Sequence, residues 1–167
     1  MKHEINLPDC IPPSAVARWQ KAIHEMTTPA ESTGLDTSFD YNFGEIIIST
    51  GIPFASLCEH HLFPFFGTVD IGYIPERKII GLSKLARTVE ALSKRTQTQE
   101  SFTDSIADAI YNASHSEEYD SGVAVKVKSV HTCQTCRGVR KSGQMITLAT
   151  LGSFNDSSRR EFLNLTT

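Results

Sequence analysis

Two short stretches of this chain crowd together side chains that bind metal ions and move protons. Cys58-Glu59-His60-His61 sets a thiol and an imidazole three residues apart, close enough in one backbone turn for both to reach a single ion. His131-Thr132-Cys133-Gln134-Thr135-Cys136 supplies a further imidazole and two further thiols. Thiolate sulfur combined with imidazole nitrogen suits zinc, whereas calcium and magnesium prefer oxygen ligands.

Two kinds of zinc site fit these residues. Cys58, His61, Cys133 and Cys136 together would close a four-ligand structural site, while three protein ligands would leave a position open for water and chemistry. A redox role for Cys133-x-x-Cys136 requires a parallel βαβ frame, which the surrounding pattern does not offer. His60 and His131 are surplus to either ligand set. A single spare histidine more often packs or hydrogen-bonds behind a metal ligand. Two of them flanking an open metal position favour general acid and base work near neutral pH.

Anion-binding and base-reading groups lie between the two clusters. Ser83, Lys84 and Arg87 fall in the opening turns of a predicted helix, where free N–H groups and the helix dipole already favour negative charge. Arg137 directly follows the second cluster. Ser-Lys at a helix start is also common on solvated surfaces, so the neighbouring zinc cluster lends this set its weight. Gln99-Glu100 begins another predicted helix, and a carboxylate there could accept two N–H groups from a guanine edge. The plain alternative is a glutamate favoured by the helix dipole.

These groups must be carried by ordered elements. Val16, Trp19, Ile23 and Met26 recur at helical spacing over Ser14 to Met26, behind Pro12-Pro13. Thr27 to Phe43 reads as a loop. Glu45 to Thr50 and Phe66 to Ile74 read as strands, with the Cys58 to His61 cluster between them. Helices follow, one marked by Leu82, Leu85, Val89 and Leu92 and opened by Ser83, the other by Phe102, Ile106 and Ile110. Gly122 to Val130 and Met145 to Leu151 are strands flanking the second cluster. Strand pairs separated by a helix pair point to an α+β fold, an antiparallel sheet covered on one face.

At 167 residues one structural domain suffices, with residues 1–44 as N-terminal helix and loop and 45–167 as the catalytic part. The formal charge of −3 gives no basis for a nucleic-acid partner. Four cysteines are too few and too unevenly spread for a secreted disulfide framework. Met1 to Cys10 has no long apolar segment, and no run of about 20 apolar residues occurs, so no membrane partner and a cytoplasmic location are expected.

Several motifs in order carry a resemblance: Ser56-Leu57-Cys58-Glu59-His60-His61-Leu62, Gly72-Tyr73-Ile74-Pro75, Gly81-Leu82-Ser83-Lys84-Leu85-Ala86-Arg87, Gln97-Thr98-Gln99-Glu100, and His131-Thr132-Cys133 with Arg137-Gly138-Val139. From about Ile48 to the Arg160-Glu161-Phe162-Leu163 end, the chain resembles GTP cyclohydrolase I. The resemblance implies a tunnelling fold (T-fold), a four-stranded antiparallel sheet with two helices on one face. It also implies a ring-shaped homo-oligomer, usually a decamer, with active sites between subunits. Carried over residue by residue, it makes Cys58, His61 and Cys133 the zinc ligands and Cys136 a bystander. His60 and His131 become the proton-transfer groups. Glu59, Ser83, Lys84, Arg87, Gln99, Glu100 and Arg137 fall to the substrate, GTP. The reaction implied opens the imidazole ring at C8 with formate release and closes a pterin, 7,8-dihydroneopterin triphosphate.

One departure stands out. The family's Thr-Pro-x-Arg motif and following lysine reach the triphosphate. Their nearest text here is Thr28-Pro29-Ala30-Glu31-Ser32-Thr33, where a glutamate stands in place of the arginine and no lysine follows until Lys78. Two charge-assisted contacts fewer, at about 1.5–3 kcal/mol each, would weaken triphosphate binding by roughly 10²–10⁴. A substrate with fewer phosphates, or a reaction stopping at the formamidopyrimidine, is the alternative this raises. A non-catalytic module with a structural zinc is the other.

Overall fold

The computed structural model describes residues 7–29, 32–35, 38–40, 43–75, 77–115 and 121–167. In order the elements are α1 (Pro13–Thr27), β1 (Ser38–Asp40), β2 (Ile47–Cys58), β3 (Pro64–Ile74), β4 (Lys78–Ile80) and α2 (Leu82–Ser93). β5 (Thr96–Gln97), α3 (Gln99–Ser114), β6 (Gly122–His131), α4 (Thr132–Thr135), β7 (Met145–Gly152) and α5 (Asp156–Leu165) follow. Ala30 and Glu31 of the Thr28-Pro29 stretch lie outside the described residues.

The main sheet has the order β5-β2-β3-β6-β7. Its four long strands pair antiparallel, and the two residues of β5 lie parallel to the end of β2. Alternation along β3 and β6 sends Val69, Ile71, Tyr73, Val123, Val125 and Val127 to one face. There they meet Leu85 and Val89 from α2 and Phe102, Ile106 and Ile110 from α3, all buried. The expected α+β architecture, four antiparallel strands with two helices on one face, is present. At about 1.5–3 kcal/mol for each large apolar side chain buried, this layer is the main source of stability.

The opposite face is partly covered by α5, which the sequence pattern did not mark as a helix. Asn155 caps it through its side-chain oxygen, which accepts from the N–H groups of Ser157 and Ser158. Phe162 is its one buried apolar anchor before the chain ends, too little for a periodic signal. It packs over Gly72, where a Cβ would come within 2.7 Å of the ring. A small two-stranded ribbon of β1 and β4 was likewise unanticipated. The helix expected to open at Ser83 is instead preceded by Gly81, with no side-chain cap.

β2 runs to Cys58, well past the strand end expected at Thr50. The reason is a β-bulge. Ser49 pairs with Ile71 and Ile52 with Val69, so β2 advances three residues while β3 advances two. Gly51 occupies the bulge at φ +70°, a conformation suited to glycine. Its N–H donates to Asp70 Oδ1 at 2.8 Å. The extra residue inverts which parity faces the helices. Ile47 packs into the main core before the bulge, and Ile52, Phe54 and Cys58 do so after it. Without the bulge Cys58 would point to the other side of the sheet.

Candidate metal centre

Cys58 is the last residue of β2 and is buried. Its carbonyl accepts from the N–H groups of His61 (3.3 Å) and Leu62 (2.8 Å), so the chain closes one tight turn directly on the cysteine. Leu62 completes that turn at φ +53°. The Glu59 N–H donates to the Gln97 carbonyl at 3.2 Å, which ties the turn to β5. This geometry brings His61 Nδ1 within 3.9 Å of Cys58 Sγ, as the three-residue spacing predicts.

The second cluster arrives from the far end of β6. His131 closes that strand opposite Phe65, and the backbone turns at once into the single turn of α4. The Thr132 hydroxyl donates to the Pro64 carbonyl at 2.6 Å and fixes that turn against β3. The result is a compact set in which the ligand atoms of Cys58, His131 and Cys133 all lie within 4.8 Å of one another. His61, expected as a ligand, is not part of that set, and neither is Cys136, which is exposed with its sulfur 3.7 Å from the Thr135 hydroxyl.

The electrostatics of the set suit a cation. Burial pushes the Cys133 thiol above its ordinary value, and the neighbouring Cys58 sulfur pushes it further, with partial relief from Arg137. Two adjacent thiols resist losing both protons unless positive charge lies between them, and a divalent ion supplies that charge. The residues therefore fit a soft or borderline metal. Burial also holds His131 below the usual imidazole range, offset in part by the charge of Glu100. His131 is accordingly neutral at physiological pH and stacks on Phe65, rings 4.7 Å apart and 6° from parallel.

The other expected site residues divide into two groups. Glu100 and Arg137 are exposed, and their charges act on His131 and Cys133 respectively. His60 and Glu59 are exposed beside the turn, 3.9 Å apart. Ser83, Lys84 and Arg87 sit on the first turns of α2, with Ser83 and Arg87 exposed and Lys84 half-buried. Lys84 lies against the loop before β1, where a Cβ on Gly34 would stand 3.0 Å from its Nζ. Among the described residues no hydrogen bond or ion pair links these three side chains to the cysteine cluster. A cavity of about 270 Å³ lies elsewhere, beside the bulge, lined by Thr50, Gly51, Asp70 and Lys128 among others.

Gln99 is arranged differently from expectation. It is fully buried, and its side chain points into the protein. Its Nε2 donates to the carbonyls of Val127 and Met145 and to the Thr147 hydroxyl, each at 3.1 Å. Its Oε1 accepts from the Ser129 hydroxyl at 2.6 Å and lies 2.9 Å from His131 Nε2. Sequence reasoning also missed Gln97. Its side chain bonds Ser56, the Leu92 carbonyl and Arg95, holding β5 on the Cys58 end of β2. The polar pair Gln97 and Gln99 around the helix cap Thr98 was the available signal.

A sequence model of the GTP cyclohydrolase I family matches residues 11–167, which takes in α1 as well as the motifs that begin near Ile48. A Dehalococcoides mccartyi protein named GTP cyclohydrolase 1 is 45% identical over 142 residues, covering 82% of this chain and 72% of its own length. Its Halalkalibacterium halodurans namesake is 41% identical over 157 residues, covering 92% and 81%. The Drosophila melanogaster protein of that name is 48% identical over 130 residues, covering 76% of this chain but 39% of its own length. With the motifs, the sheet-and-helix layers and the cysteine–histidine cluster in agreement, this chain belongs to the GTP cyclohydrolase I family.

Proposed function

We propose that the chain is a zinc-dependent hydrolase that opens the imidazole ring of GTP at C8, releases formate and forms 7,8-dihydroneopterin triphosphate. The convergence of Cys58, Cys133 and His131 within 4.8 Å, with His61 at 3.9 Å from Cys58, carries this reading. Cys58, Cys133 and His61 would hold the ion, and His131, within 4.8 Å of both sulfurs, would act beside it. Zinc held there supplies Lewis acidity, the means by which water becomes a nucleophile near neutral pH.

The chain's own groups do the rest. His131, neutral and held flat against Phe65, takes the proton of the attacking water. His60, exposed on the Cys58 turn, delivers a proton to the purine as the ring opens. Glu100 accepts from the N1–H and 2-amino groups of guanine, which sets C8 toward the cluster. Ser83, Lys84, Arg87 and Arg137 hold ribose and phosphates at the start of α2 and beyond α4. Glu59 borders the substrate from the Cys58 turn.

An assembly of copies of this chain, a ring and by analogy a decamer, completes the site. Three features support it. No residue of α1 is buried, although it carries an apolar stripe that includes Trp19. Among the described residues β7 has a strand neighbour on one side only. The cysteine cluster sits beside exposed His60 and His61 rather than in the cavity of the single chain.

The test is to incubate zinc-loaded protein with GTP, GMP, guanosine and guanine and assay formate and pterin fluorescence. Formate and pterin from GTP, both lost in Cys58→Ser and His131→Ala, are expected. Equal turnover of all four would replace the triphosphate specificity with the alternative that Thr28-Pro29-Ala30-Glu31 raises. Formate without pterin would point to a truncated reaction.

A further inference from the structure

We propose that Gln99 is a positioning residue that fixes the ring orientation and tautomer of His131, rather than a group that reads guanine. Its effect on turnover rests on the ring-opening reading above; the geometry itself does not.

The direction of the Gln99 amide is decided by its surroundings. The carbonyl oxygens of Val127 and Met145 can only accept, and both lie 3.1 Å from one end of the amide. That end must be the nitrogen, because the reverse placement would set three oxygens against one another. The hydroxyls confirm the sense. Thr103 spends its proton on the Gln99 carbonyl at 2.8 Å, so in the 2.6 Å contact with Thr147 it is Thr147 that donates. The Thr147 oxygen is thereby free to accept from Gln99 Nε2.

The oxygen Oε1 then faces Ser129 and His131. It has no proton to give, so the 2.9 Å contact is a hydrogen bond only if His131 Nε2 carries the hydrogen. The neutral imidazole is thus the Nε2–H tautomer, and Nδ1 keeps the lone pair. Phe65 fixes the ring plane and Gln99 fixes its rotation within that plane. Nδ1 is therefore the ring nitrogen that carries no hydrogen. A second-layer group that sets a working histidine's tautomer is a common device in enzymes and metal sites. With both N–H hydrogens and the oxygen of Gln99 committed inside the protein, no part of its amide is left for a purine, and Glu100 reads the base without it.

The experiment labels histidine with ¹⁵N at ε2 only and records solid-state spectra of the full-length protein, metal-free and zinc-loaded, with His131→Asn to assign the signal. A protonated, pyrrole-type His131 Nε2 is expected in the wild type. It should persist in Gln99→Glu, whose buried carboxyl stays protonated, donates to a backbone carbonyl and accepts from His131 through its other oxygen. In Gln99→Leu the signal should shift toward the unprotonated type. In that variant kcat should fall about 10²-fold, the low end for a positioned acid or base, with KM for GTP unchanged, and Gln99→Glu should restore most of it. An unprotonated Nε2 in the wild type would overturn the proposal. So would a Gln99→Leu protein that raises KM while leaving kcat and the ¹⁵N signal untouched. If Gln99→Leu does not fold, the wild-type and Gln99→Glu spectra decide. Absence of any turnover would sink the ring-opening reading, and the label would still report the tautomer.

Discussion

Replacing Asp70 by asparagine removes one charge from a buried pair without changing its shape. Asp70 and Lys126 are each 5% exposed, with Asp70 Oδ2 3.4 Å from Lys126 Nζ. The ammonium also donates to the carbonyl and hydroxyl of Thr166. The amide oxygen of the substituted side chain could still accept from the Gly51 N–H, so the bulge keeps its anchor and the loss reports the charge. Breaking a buried pair by removing one partner costs about 3–5 kcal/mol. Burial already holds the Lys126 proton affinity below the ordinary lysine value, and Asp70 is the main group opposing that. Without Asp70 the affinity falls further. A lysine whose folded pKa is lowered binds fewer protons folded than unfolded, so stability rises with pH between the folded value and the unfolded one near 10.4. The deficit of Asp70→Asn is therefore largest at neutral pH and shrinks as pH climbs toward about 10. Urea unfolding followed by circular dichroism across that range, at fixed protein concentration, measures it. Adding Lys126→Met should recover most of the loss at pH 7. A deficit that is the same at every pH, or smaller than about 1 kcal/mol, would refute this reasoning.

Asp70→Ala also removes the acceptor for Gly51, and because the bulge aims Cys58 this variant should retain less zinc than Asp70→Asn on dialysis against a chelator. Cys133→Ser is expected to lose bound metal, while Cys136→Ser keeps its full equivalent by mass spectrometry under native conditions; metal loss in Cys136→Ser would restore the four-ligand site. At Gly67 a Cβ would stand 1.9 Å from the Lys128 carbonyl oxygen, with further backbone within 3 Å. Gly67→Ala must therefore separate β3 from β6 and should cost more than the roughly 1–3 kcal/mol of ordinary overpacking, read as a lower unfolding midpoint.

What was legible in the sequence followed from how local the signal was. The Cys58 to His61 turn is set by a three-residue spacing that needs no distant partner, and His61 Nδ1 lies 3.9 Å from Cys58 Sγ. The antiparallel strands and both covering helices announced themselves by alternation and by three- and four-residue periods. β2 was cut short because Gly51 inside a β-branched run reads as an end. The anchor that makes it a bulge, Asp70, is 19 residues away. Gln99 could be placed at a helix start but not oriented, since its partners Val127, Ser129, His131 and Met145 come from two later strands. α5 escaped notice because one phenylalanine, Phe162, does the packing that a periodic stripe does elsewhere.

The proposed reaction requires a metal held by two cysteines with a position left open beside His131. X-ray absorption at the zinc edge of the loaded protein tests that most directly. It should find two sulfur scatterers at about 2.3 Å and nitrogen or oxygen at about 2.0–2.1 Å in four-coordinate zinc, with the light-atom shell changing when GTP is added. Three sulfur scatterers, and a first shell indifferent to GTP, would contradict it and make Cys136 part of a closed structural site.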